Sequence, residues 1–143
     1  MACLLIAACA LAVGQAGCGS SARIEAGDLK GATFSEVGSD GAAGEGFELD
    51  LASGDTLRTR LLSAYRTMGA WKGDPEKLPA PDLFLTLTFT DDRETVLACA
   101  RDNQSFIIVE QYEHGRLVDV FIMRPKLMYE FMNDLVEQAR MRR

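Results

Sequence analysis

The sequence predicts an α+β domain: an antiparallel sheet in the element order β-α-β-β-β-β-α, with its helices packed on one sheet face. Three observations carry this reading. Leu83, Leu85, Leu87 and Phe89 alternate with Phe84, Thr86 and Thr88, which is the period of a strand. Three more strand-like runs follow, separated only by short polar turns, and such short links join antiparallel neighbours. Apolar residues recur at helical spacing in two segments, one after Asp55 and one after Arg124.

Taken in order, Phe47-Glu48-Leu49-Asp50-Leu51 alternates apolar and acidic residues and puts Phe47, Leu49 and Leu51 on one face of a short strand. Ser53-Gly54-Asp55 breaks it. Leu57, Leu61, Ala64, Tyr65 and Met68 then mark an amphipathic helix opened by Asp55, a good N-cap type, and stopped at Gly69. A rival reading makes Ser53-Gly54 a hairpin turn and starts the helix nearer Arg60. Residues 71–81 hold three prolines and a glycine and read as a loop. The meander comprises residues 83–89, 95–101, 105–112 and 116–123, with turns at Thr90-Asp91-Asp92-Arg93, Asp102-Asn103-Gln104 and Glu113-His114-Gly115. The last helix opens at Arg124-Pro125, with Pro125 in its first turn, and its apolar face is Leu127, Met128, Phe131, Leu135, Val136 and Ala139. Arg140, Arg142 and Arg143 suit its C-terminus. Phe84, Ile107, Val109, Val118 and Val120 make the second sheet face partly apolar, so that either the last helix covers it or it binds something.

The first 46 residues read differently. Residues 1–17 carry no charge, and residues 2–13 are an unbroken apolar run of twelve, too short for a membrane span and suited to the apolar region of a signal peptide. Residues 19–46 carry seven glycines and scattered apolar residues, Ile24, Leu29, Phe34 and Val37, with no period. Such a stretch reads as a flexible tether. The expected organisation is therefore a signal peptide over 1–17, a lipidated cysteine and tether over 18–46, and one domain over 47–143.

Gln15-Ala16-Gly17-Cys18 resembles the lipobox of bacterial lipoprotein precursors. The resemblance spans about twenty residues, and it implies that Cys18 is acylated and becomes the N-terminus of a membrane-anchored chain. Ala16, Gly17 and Cys18 match the family's small residues and cysteine. Gln15 stands where that family has an aliphatic residue, and no Lys or Arg precedes the apolar run, which points to a true start upstream of Met1. Simple secretion after cleavage near Ala16 or Gly17 is the alternative. The layout of the folded part is similar to cystatin-like folds up to the fourth meander strand. It is also similar, over most of residues 47–138, to small lipoprotein domains of Gram-positive bacteria, a likeness that includes Pro81-Asp82 before the first meander strand.

The chemistry the residues offer is sparse. With 21 acids against 15 bases and net charge −6, a nucleic-acid backbone is not an expected partner. Neither CxxC, HExxH, GxSxG nor a phosphate-binding glycine loop occurs. His114, the single histidine, reads as a turn residue, and Asp91, Asp92 and Glu94 read as a solvated hairpin tip rather than a calcium site. Cys99 would be alone in the mature domain and reads as a buried, inert thiol. Trp71, the single tryptophan, either anchors a partner or caps the core beneath the helix. No catalytic residue, cofactor or metal is expected. The partners expected are the membrane, through lipid on Cys18, and a protein or cell-envelope component. The function expected is that of an extracytoplasmic, lipid-anchored binding domain. One alternative is a secreted inhibitor-like or immunity-like protein acting on an envelope enzyme, and another is a small hydrolase using Asp82 and Glu110.

Overall fold

The computed structural model describes residues 28–38, 44, 46–52 and 55–142. The expected signal segment and Cys18 lie outside them. Among the described residues, seven strands and two helices follow in the order β1 (Leu29–Glu36), β2 (Phe47–Glu48), α1 (Asp55–Thr67), β3 (Gly69–Trp71), β4 (Leu83–Phe89), β5 (Arg93–Ala100), β6 (Asn103–Glu113), β7 (Arg116–Arg124) and α2 (Leu127–Met141), with a 3-10 turn at Pro75–Lys77 before β4. All strand pairs are antiparallel, and the sheet order is β2-β1-β4-β5-β6-β7-β3. The α+β class and the four-stranded meander are as the sequence predicts, and two strands are added to it.

The larger addition is β1, which corrects the tether expected over residues 18–46. Residues 29–36 form an interior strand between β2 and β4, with Phe34 opposite Leu85 and Ala32 opposite Leu87. Phe34 is buried and its ring lies 5.6 Å from that of Phe47. The folded domain thus begins no later than Asp28, whose carbonyl accepts a hydrogen bond from Thr90 N. Small residues do structural work in this segment. Gly44 N donates to Glu36 O at 2.7 Å, and a Cβ on Gly44 would lie 2.3 Å from that oxygen, so only glycine permits the approach. Glu36 is buried and accepts a hydrogen bond from Arg101 Nη2 at 2.5 Å, which gives its charge a partner at the end of β1.

The core lies between the sheet and the two helices. Phe34, Leu83, Leu85, Leu87, Leu97, Ile107, Val109 and Met123 meet Leu61, Leu62, Tyr65, Met128, Phe131, Met132 and Leu135 in one buried cluster. The helices therefore share one sheet face, hereafter the helix side. Arg60 of α1 pairs with Asp134 of α2, and its guanidinium stands 5.7 Å from the Phe131 ring centre. Leu49 and Leu51 are buried as expected, although β2 itself pairs over only Phe47 and Glu48 before Leu49 N bonds to Ala32 O. The first helix begins at Asp55, which removes the rival start near Arg60.

Two further expectations are corrected. Ile107 and Val109 belong to the helix side, because they pair with Met123 and Phe121 and join the core. The residues of β6 on the open face are instead Phe106, Ile108 and Glu110. Pro125 lies before the last helix rather than in its first turn. Its carbonyl accepts from Met128 N, and Lys126 between them has φ 44° and ψ −118°, a turn conformation that favours glycine. Lys126→Gly is expected to raise stability by about 1 kcal/mol, because relief of strain outweighs the added freedom of the unfolded chain. A urea titration of the two chains measures it.

Candidate functional site

Two surface features stand out, a strand margin and a cleft, and they adjoin at Val118. The first is the β7–β3 margin. β3 pairs with residues 122–124 of β7 only, so the outer edge of residues 116–121 has no strand partner among the described residues. Along it Leu117 and Val118 are each 52% exposed, and Val120 is 37% exposed. Trp71 closes the margin where β3 ends. It pairs with Ile122 on the open face, 41% exposed, with its ring 5.4 Å from Phe106 and the Arg124 guanidinium 4.1 Å above it. Trp71 therefore does not cap the core beneath a helix. The segment from Lys72 to Pro81 turns back over the open face instead, where Leu78 and Pro79 meet Ala98, Phe106 and Ile108. That cover accounts for part of the second apolar face, and Val120 remains outside it.

The second surface is a cleft of about 240 Å³ on the helix side, where the sheet runs out beyond Tyr65 of α1. Its floor is a row of three polar residues from adjacent strands: Thr95 lies opposite Gln111, and Gln111 opposite Asp119. The alternation of β7 puts Asp119 on the face of Phe121 and Met123, opposite Gln111. A bulge lies just beyond the row: Gln111 pairs with Asp119 while Tyr112 pairs with Leu117, so Val118 is an extra residue in β7. It sends Leu117 to the face opposite Asp119. Arg93 on the wall is already engaged, since its Nε donates to Asp91 Oδ2 at 2.5 Å and its guanidinium lies 5.2 Å from the Phe89 ring centre. Burial pushes the Tyr65 phenol up to about 12, so it stays protonated at every physiological pH.

The remaining expected residues fall into structural roles. His114 and Gly115 form a two-residue hairpin loop with φ of 49° and 75°, the conformation such loops require. Asp91 is tied to Arg93, and among the described residues no group of three or more His, Cys, Asp or Glu side chains could hold a metal ion. Asp82 accepts a hydrogen bond from Arg101 N at 2.6 Å, and Glu110 accepts one from the Tyr112 hydroxyl at 2.6 Å, which raises the Tyr112 pKa. The register places Asp82 and Glu110 four residues and two strands apart, roughly 16 Å by strand geometry. That is beyond the ~5–10 Å of a carboxylate pair acting on one bond. Cys99 is buried, as expected.

Thr95, Gln111 and Asp119 were not singled out by sequence reasoning. The alternation of β5 and β6 puts Thr95 on the face of Leu97 and Gln111 on that of Val109, a signal available in principle. Asp119 shares the face of Phe121 and Met123 by the same alternation, and its place beside Gln111 comes from the pairing of β6 with β7. No protein-family model, curated protein or solved structure matches the chain.

Proposed function

We propose that the chain is a lipid-anchored, extracytoplasmic binding domain, held at the cell envelope through Cys18 and engaging a macromolecular partner through the β7–β3 margin. The anchor reading rests on the uncharged apolar run and on Gln15-Ala16-Gly17-Cys18. Among the described residues no helix is long and apolar enough to cross a membrane. The observation that carries the binding reading is the exposure of Leu117, Val118 and Val120 on an unpaired strand edge that ends at an exposed tryptophan. Aliphatic side chains on an open edge are a liability unless a partner uses them, since such an edge offers backbone hydrogen bonds as well as apolar area.

The test has two arms on the full chain expressed in cells. Intact mass spectrometry of the membrane fraction should show a chain beginning at Cys18 with a diacyl increment, and Cys18→Ser should lack it. A photo-crosslinking residue at position 120 should trap a discrete partner, while one at the exposed Ser63 of α1 should not. An uncut N-terminus defeats the anchor, and equal, diffuse crosslinking from both positions defeats the margin as a docking surface.

A further inference from the structure

The helix-side cleft adjoins the β7 margin, since Val118 lines both, and its polar floor is unusual for the position it occupies. Thr95 is 5% exposed, beside Leu87 on β4 and in the strand that carries Leu97, yet its hydroxyl has no hydrogen-bond partner among the described residues. A buried hydroxyl left unmade costs about 1–3 kcal/mol, a penalty that valine, nearly its isostere, would avoid. The side chain lines the cleft, so a group entering there would satisfy it.

The row beside it limits what that group can be. Thr95 offers one donor and acceptor lone pairs, Gln111 offers two donors and an acceptor, and Asp119 offers acceptors only. These lie on three neighbouring strands, so the row spans about 10 Å at the backbone. A single ammonium is a point charge and needs acceptors alone. A carboxylate or phosphate would meet Asp119 and Glu113, with the guanidinium of Arg93 already held by Asp91. A flat ring carrying several hydroxyls, each both donor and acceptor, fits a mixed row of this length. Tyr65 and Phe89, both buried, close the cleft behind the row. The volume of about 240 Å³ falls below the ~300 Å³ typical of drug-sized sites, which limits the occupant to one ring.

We propose that this cleft is a saccharide site that takes a single hexose unit, neutral or amino-substituted, with Thr95, Gln111 and Asp119 hydrogen-bonding its hydroxyls.

The full chain, purified in detergent and labelled with nitrogen-15, is titrated with glucose, N-acetylglucosamine, glucosamine and N-acetylneuraminate, and with lysine ethyl ester as a cation without a ring. The expected result is millimolar binding of at least one neutral or amino sugar. Its amide shifts should centre on residues 95, 111 and 119 and on the Gln111 side-chain amide, with no comparable effect from N-acetylneuraminate. Thr95→Val should weaken that binding about tenfold while leaving the unfolding midpoint equal or higher, and Asp119→Asn should weaken it several-fold. Tighter binding of lysine ethyl ester than of any sugar would replace the proposal with a cation site. Absence of shifts at these residues up to 50 mM of every sugar, or sugar binding that Thr95→Val leaves unchanged, overturns it. These outcomes are read with free sugars at Thr95, Gln111 and Asp119, whereas the envelope-binding reading is tested by the mass of the Cys18 terminus and by crosslinking from position 120, so failure here is distinguishable from failure of that reading.

Discussion

Phe34→Ala should cost about 3–5 kcal/mol of unfolding free energy, the range for removing a buried aromatic side chain from a packed core. Phe34 is 1% exposed, with Leu85 across the strand and the Phe47 ring 5.6 Å away. Against a total stability of about 5–15 kcal/mol for an ordinary domain, such a loss takes about a fifth of the total or more. A tether residue would behave otherwise, with a change within about 0.5 kcal/mol. Urea denaturation of the full chain and the variant separates the two cases, and an unchanged midpoint would remove β1 from the sheet. A chain cut to residues 47–143 should fail to fold cooperatively, because it exposes the length of β4 and opens the core at Leu85 and Leu87.

Alkaline pH should weaken the fold steeply. Burial, with the nearby Asp82 charge as the lesser cause, pushes the Cys99 thiol from an ordinary 9.0 up to about 12. Burial does the same to the Tyr65 phenol, from 10.0 up to about 12. Both folded-state values are raised, so the native state keeps protons that the unfolded chain releases. The stability held through them is fully present below pH 9 and is lost as pH rises towards 12. Each group contributes a slope of about 1.4 kcal/mol per pH unit once its unfolded value is passed. Cys99 acts alone between pH 9 and pH 10, and Tyr65 joins it above pH 10. The expected loss between pH 9 and pH 11 is roughly 4 kcal/mol. Urea midpoints at pH 7, 9, 10 and 11 trace it. Cys99→Ala should flatten the limb between pH 9 and pH 10, and Tyr65→Phe should reduce the slope above pH 10. A midpoint constant through pH 11 would show that neither group is as buried as the core implies.

Much of the fold is legible in the residues themselves, and the parts that are not have definable reasons. Leu83 to Phe89 is a strand by its own alternation, and α1 and α2 carry their apolar faces at intervals that no other local structure would bury. Each of these segments holds enough large apolar side chains to reveal its period. In β1 the buried residues are Leu29, Ala32, Phe34 and Glu36, only two of them large apolar groups and these set out of period by a register shift after Leu29, and the outward ones include Gly31, Thr33 and Ser35. Composition of that kind is shared with a solvated linker. The strand exists because β2 and β4 pair with it on both edges. The 3-residue β3 is invisible for a similar reason: Gly69-Ala70-Trp71 has no strand preference of its own and takes its conformation from residues 122–124 of β7. The face assigned to Ile107 and Val109 was misread because β6 is apolar at 106, 107, 108 and 109 in succession, so the alternation cannot show which pair faces in.

The candidate sites divide along the same line. The short turn at His114-Gly115 could be placed from sequence, since it depends on neighbours in the chain, whereas the face of Trp71 comes from its pairing with Ile122. The cleft could not. Alternation gives the face of Thr95, Gln111 and Asp119 within each strand, but the three meet only through the registers of two strand pairs.

The sequence by itself thus determined the class of fold, the two helices, the meander and the turns, because periodicity, capping and turn preferences act over a few residues. Only the tertiary structure decided that residues 29–36 are an interior strand, that Trp71 sits on the open face, and that three polar side chains share the floor of one cleft. Those outcomes depend on strand pairing between residues far apart in the chain, where the burial gained by the whole sheet outweighs what any short segment prefers alone.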